Sequence, residues 1–144
     1  MISGYVLTNL EVNVLEVIYS ILFVDDEINV LNSLKRGVRE ESYKTFFALS
    51  GKEALEILER EEINVIITDA GMPEMNGLTL LNIVKKKYPH IVRMMLSGDS
   101  GMPQIGDSIK IGDVFKVINK PWKLEDELKV SIKEAIKYYK QQIK

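Results

Sequence analysis

The chain has 144 residues, 46% of them hydrophobic and 28% charged, with 19 Lys and Arg against 21 Asp and Glu for a net charge of −2. That describes one globular domain with a single core, too short for a second independent output domain and too near neutrality to expect nucleic acid or an anionic membrane as partner. The absence of cysteine excludes disulfides, thiolate metal sites and cysteine nucleophiles, and suits a reducing cytoplasm.

The first nineteen residues are rich in apolar side chains but contain no Lys or Arg and two Glu, so they lack the charged start of a secretory signal. No stretch is long and apolar enough to span a bilayer, and the expectation is a soluble, cytoplasmic protein. Within this leader Leu10, Val12 and Val14 alternate like a strand, while Leu7, Leu10, Val14, Val17 and Ile21 follow a heptad-like spacing. An extra element, a dimer contact and an artefact of expression all remain open.

From Ser20 onward short apolar runs alternate with longer amphipathic segments, the pattern of a parallel sheet covered by helices on both faces. Strands are predicted over residues 20–25 (SILFVD), 43–49 (YKTFFAL), 63–69 (INVIITD), 91–97 (IVRMMLS) and 113–118 (DVFKVI). The first helix should bury Ile28, Leu31, Leu34 and Val38. The second opens at Ser50 with Glu53 three residues on, the signature of a capping box. The third runs from about Gly77 to Tyr88 with Leu81, Val84 and Tyr88 inward, and Pro89 stops it. After Ser97 the segment holding Pro103, Gly106 and Gly112 is a weak helix, since an interior glycine costs about 1 kcal/mol against alanine. The last helix is the longest, with Leu124, Leu128, Ile132, Ala135, Ile136, Tyr139 and Ile143 on one face.

In open sheets of this kind ligands bind beyond the carboxyl ends of the strands. The first strand ends in Asp25, Asp26 and Glu27, the third in Asp69 and the fourth in Ser97, and the fifth is followed by Lys120 and Pro121. One edge therefore receives carboxylates, a hydroxyl and an ammonium. Crowded carboxylates repel, and a hard divalent cation with oxygen ligands relieves that repulsion. Mg²⁺ is usually held by one or two carboxylates and keeps waters that phosphate oxygens can replace. A carboxylate can then act as nucleophile in phosphoryl transfer, with metal, ammonium and hydroxyl stabilising charge on the equatorial oxygens.

ILFVDDE, VIITDAGMPEMNGLTLL, MMLSG and VINKPW, in this order and at these intervals, resemble the receiver domain of two-component response regulators, the CheY-like family. The match covers residues 20–144, leaving 1–19 as an N-terminal extension of unknown role. The resemblance implies a doubly wound, flavodoxin-like five-stranded parallel sheet in the order 2-1-3-4-5, for which CheY is itself the standard example. It implies a phosphorylation-dependent switch with Asp69 as phosphoacceptor, and Asp25 and Asp26 as the pair that holds Mg²⁺ directly or through water. The Gly71 carbonyl is then the third protein ligand, Ser97 the switch hydroxyl and Lys120 the ammonium that pairs with the phosphoryl group. The Lys120–Pro121 peptide bond is typically cis at this position. Implied partners are a histidine kinase or phosphotransfer protein and a downstream output protein or domain, and a homodimer stays open. Trp122 completes a KPW ending common in receivers joined to phosphodiesterase or regulatory modules.

Two positions depart from the family pattern. Val117 stands where Tyr or Phe usually couples to the moving hydroxyl, with Phe115 two residues earlier expected on the same strand face. Gly71 and Asp99 occupy the positions that tune hydrolysis of the phosphoryl group, and a glycine offers no obstruction to water. Other readings are a receiver-fold interaction module that is not phosphorylated, and a Mg²⁺-dependent phosphatase with an aspartyl nucleophile. The latter class needs two aspartates one residue apart on one strand, whereas Asp25 and Asp26 are adjacent and Asp69 is elsewhere. Flavin binding would need a Ser/Thr- and Gly-rich phosphate loop after the first strand, which is absent. His90 reads as a solvated loop residue, Lys85, Lys86 and Lys87 as a solvated helix face, and Phe46, Phe47, Met94 and Met95 as strand packing.

Overall fold

The computed structural model describes residues 5–9, 14–98, 114–119 and 123–142, with the side chains of the first sixteen residues and Leu124 left aside. Five parallel strands, β3 (Ser20–Val24), β4 (Lys44–Ala48), β5 (Val65–Asp69), β6 (Val92–Ser97) and β7 (Lys116–Asn119), form one sheet in the order β4-β3-β5-β6-β7. Counted from Ser20 this is the expected 2-1-3-4-5 order. Ahead of it, β1 (Tyr5–Asn9) and β2 (Val14–Val17) pair antiparallel as a separate two-stranded sheet, so the described part of the leader is extended, while Leu10 and Val12 of the expected alternation lie outside the described residues.

The central strands read as continuous apolar runs because alternate residues feed two cores. Leu22, Val24, Ile66 and Met95 pack with α2 (Gly51–Arg60) and α3 (Gly77–Lys87) on one side. Ile21, Phe23, Val65, Ile67, Met94 and Leu96 pack with α1 (Ile28–Gly37) and α4 (Lys129–Gln142) on the other. Met94 and Met95 are fully buried and the Phe47 ring stacks on Phe23, which bears out strand packing for those positions.

Several local expectations are corrected. Ile28 is 52% exposed: in the first turn of α1 it overhangs the carboxyl edge, and the buried stripe begins at Leu31. Ser50 does accept from the Glu53 amide at 3.0 Å, but the Glu53 carboxylate accepts from the Leu49 amide, one residue before the cap. α3, by contrast, takes its expected span, running to Lys87 with Tyr88 as the cap whose amide donates to the Val84 carbonyl. The last helix begins with a π-helical turn, Leu124–Leu128, before the regular α4. Phe115 lies just before β7, outside the strand alternation, and its ring meets Tyr138 of α4 at 5.1 Å. Val117 packs instead with the α2 and α3 core. His90 is exposed in a turn, and Lys85, Lys86 and Lys87 are exposed. The glycine-rich segment after Ser97 and Ile143 lie outside the described residues.

Candidate functional site at the carboxyl edge of the sheet

β3 stops at Val24, and the chain turns into α1 through Asp25, Asp26 and Glu27. Asp25 is 1% exposed. Its amide donates to the Ala48 carbonyl at 3.1 Å, and its Oδ1 accepts from the Glu27 amide at 2.9 Å. That is an Asx-type turn in which the carboxylate both shapes the loop and faces the edge. Asp26 is exposed. Asp69 closes β5 and is 7% exposed. Carboxylate oxygens of Asp25, Asp26 and Asp69 lie within 4.8 Å of one another, a group able to hold a metal ion. Asp69 lies 43 positions after Asp26 in the sequence, and the β3–β5 pairing unites it with the adjacent Asp25 and Asp26.

Ser97 ends β6 beside this group. Leu96 is in register with Asp69, and Ser97, 4% exposed, donates its hydroxyl to the Gly98 carbonyl at 3.1 Å. Asn119 of β7 is in register with Ser97. Lys120, Pro121 and Trp122, expected as the ammonium, the cis-proline partner and the KPW ending, lie outside the described residues, as does Asp99. Val117 is in register with Met95 and half-buried.

The loop after Asp69 contains features that no residue pattern announced. The Met75 amide donates to the Pro73 carbonyl at 2.6 Å, a three-residue turn centred on Glu74, whose φ of 65° is the left-handed region. Asn76 caps α3, accepting from the Thr79 amide at 2.8 Å. A β-carbon at Gly77 would overlap the Asp69 carbonyl oxygen, so α3 starts in direct contact with the end of β5. Thr68 Oγ1 donates to that same oxygen at 3.0 Å. Gly71 has open space around it, with nothing within 4 Å of where a β-carbon would stand.

Residues 21–133 match the family described as the response regulator receiver domain. The chain belongs to that family. It is 32% identical over 123 residues to the hydrogenase transcriptional regulatory protein HoxA of Bradyrhizobium diazoefficiens, covering 85% of this chain and 25% of that protein. It is 28% identical over 119 residues to the DNA-binding transcriptional regulator NtrC of Proteus hauseri, covering 83% of this chain and 25% of that protein. The chain thus spans about a quarter of the length of these curated relatives. Among solved structures, a response regulator receiver domain protein from Clostridium thermocellum superposes with a TM-score of 0.78 at 30% identity, covering 87% of this chain and 99% of that one. The signal receiver domain of an HD domain-containing protein from Pseudomonas fluorescens Pf-5 superposes with a TM-score of 0.80 at 29% identity, covering 86% and 98%. This is a receiver domain of two-component systems with the CheY-like fold. No helix among the described residues is long and apolar enough to cross a membrane.

Proposed function

We propose that this receiver domain is a phosphorylation-dependent switch in which Asp69 accepts a phosphoryl group from a phosphohistidine of a kinase or phosphotransfer protein. The observation that carries the reading is the convergence of the Asp25, Asp26 and Asp69 carboxylates within 4.8 Å, with the Ser97 hydroxyl on the adjacent strand. In the transfer an Asp69 carboxylate oxygen forms a bond to phosphorus, the N–P bond of the donor breaks, and the imidazole leaves with the electron pair.

An all-oxygen, carboxylate-rich donor set suits a hard divalent cation. Asp25, Asp26, Asp69 and the Gly71 carbonyl would hold Mg²⁺, whose charge offsets the negative charge of the transferring group. Burial of Asp69 limits water around the reacting carboxylate, while Asp26 remains open to solvent. Ser97 donates to the phosphoryl oxygens once its hydroxyl leaves the Gly98 carbonyl, and Lys120, next after Asn119, supplies the ammonium. The domain assists its own phosphorylation and dephosphorylation and turns over no separate substrate. Its partners are the phosphodonor and a downstream output protein or domain, met in the cytoplasm through the face running from the Ser97 strand to the last helix. The open space at Gly71 leaves water free to approach, consistent with a phosphoryl group that is not specially long-lived.

The test is exposure to acetyl phosphate or beryllofluoride with Mg²⁺. Wild-type protein should gain the phosphoryl mass, or change its amide NMR spectrum, and Asp69→Asn should do neither. Equal responses from the two proteins would reject the reading.

A further inference from the structure

The peptide group joining Asp69 to Ala70 is held from two sides by residues outside the acidic cluster. The β3–β5 ladder ends at the Val24–Thr68 pair, one residue before Asp69. Thr68 is fully buried, and its Oγ1 donates to the Asp69 carbonyl oxygen at 3.0 Å. Gly77 backs against the same oxygen. The N–H of this same peptide, the Ala70 amide, donates to the Leu96 carbonyl at 2.9 Å, and the following peptide is fixed by its Ala70 carbonyl, which accepts from the Gly77 amide at 2.8 Å. Two peptide groups alone separate the Asp69 α-carbon from that of Gly71. Their orientation sets how far the Asp69 carboxylate stands from the Gly71 carbonyl.

We infer that Thr68 is a positioning residue for the metal and phosphoryl site, its hydroxyl fixing the Asp69 carbonyl and through it the spacing of the two ligands contributed by this loop. The inference rests on reading Asp25, Asp26, Asp69 and Gly71 as the Mg²⁺ site. Mg²⁺ demands near-ideal octahedral placement of its ligands, so a small rotation of one peptide is felt in affinity. Packing alone does not call for a hydroxyl at this position. The cross-strand neighbours Val24 and Met95 are apolar members of the core, and valine has the same branched shape. A buried hydroxyl is costly unless it is bonded, and here its bond goes to the carbonyl of the nucleophile itself.

The experiment compares Thr68→Val, which keeps the shape, with Thr68→Ser, which keeps the hydroxyl. Mg²⁺ binding is followed by titration of the Asp69, Ala70 and Gly71 amide NMR signals, and the ¹³C shift of the Asp69 carbonyl is read in metal-free protein. Thr68→Val should weaken Mg²⁺ binding by roughly tenfold and shift the Asp69 carbonyl signal, while Thr68→Ser restores both toward wild type. Thr68→Val with wild-type Mg²⁺ affinity, or Thr68→Ser as impaired as Thr68→Val, would overturn the inference. Failure of the wild-type protein to bind Mg²⁺ would instead overturn the metal-site reading and the inference with it.

Discussion

Gly77 stands so close to the carbonyl oxygen of Asp69 that a β-carbon there would overlap the oxygen and reach the Ala70 Cα at 3.0 Å. Both obstacles are backbone and cannot rotate away, so α3 would have to lift from the end of β5. Gly77→Ala should therefore lose about 1–3 kcal/mol by overpacking despite the better helix propensity of alanine. The matched control is Gly51→Ala, where the three nearest atoms all belong to the Met75 side chain and the closest, its sulfur at 2.6 Å, lies near the flexible end that can move. Urea denaturation should show a lower midpoint for Gly77→Ala and a near-unchanged one for Gly51→Ala. Equal midpoints for the two variants would mean that α3 shifts freely.

Glu74 has a φ of 65° and no glycine's freedom to adopt it. A non-glycine residue held there stores about 1–3 kcal/mol, against roughly 0.5–1 kcal/mol that glycine loses through extra freedom in the unfolded chain. Glu74→Gly should thus stabilise the protein modestly, by about 0.5–1 kcal/mol, and Glu74→Val should destabilise it. Thermal unfolding of the two variants beside wild type decides the point. A glycine variant that melts lower would show that the loop is not strained at this residue.

The parts of the molecule legible in the sequence are those governed by local pattern. Strands buried on both faces spell continuous apolar runs, and an aspartate at the end of such a run marks the sheet edge, so β3, β5, Asp25, Asp26 and Asp69 could be read directly. Ser50 and Glu53 announced the start of α2 because capping is set by residues three apart. Ile28 was misplaced because periodicity does not reveal that a first turn overhangs solvent. Phe115 was misplaced because alternation fails one residue outside a strand. The sequence places Thr68 in a strand and Gly77 at a helix start but not against the Asp69 carbonyl oxygen: that approach is made by the folded chain, and no spacing rule encodes it.

The acidic cluster carries a pair of opposed expectations. Without metal, the Asp25, Asp26 and Asp69 carboxylates within 4.8 Å repel, so neutralising the exposed member in Asp26→Asn should raise stability by about 1 kcal/mol. With Mg²⁺ the order should reverse. A ligand that binds only the folded state adds about 2.7 kcal/mol at a hundred times its Kd, and Asp26→Asn loses part of that affinity. Melting curves of both proteins in EDTA and in saturating MgCl₂ check the crossing. A wild-type Tm that ignores Mg²⁺ would count against a metal site here.

Alkaline stability should depend on Tyr43. Its side chain is buried, its hydroxyl has no hydrogen-bond partner among the described residues, and Glu41 and Glu125 stand near it. Burial first, then those two carboxylates, push its ionisation well above the ordinary tyrosine value. The folded state therefore keeps the proton when the unfolded chain loses it. The stabilisation is intact below about pH 10, the unfolded value, and falls as pH rises above it by up to about 1.4 kcal/mol per pH unit. Lys129 works in the same direction. It is bonded to Glu125 at 2.8 Å and Glu41 at 3.3 Å, and the Glu125 hydrogen bond chiefly raises its ionisation, so its contribution is complete below about pH 10.4 and is lost as pH climbs through the higher folded value. Tyr43→Phe removes the first of these two losses and leaves the second. At pH 7 the variant should equal wild type or exceed it by up to about 1 kcal/mol, since the lost hydroxyl had no partner, and the gap should widen steadily above pH 10. Urea midpoints measured at intervals from pH 7 to about pH 11 test this. Parallel curves for the two proteins would show that the Tyr43 hydroxyl is already hydrated in the folded state.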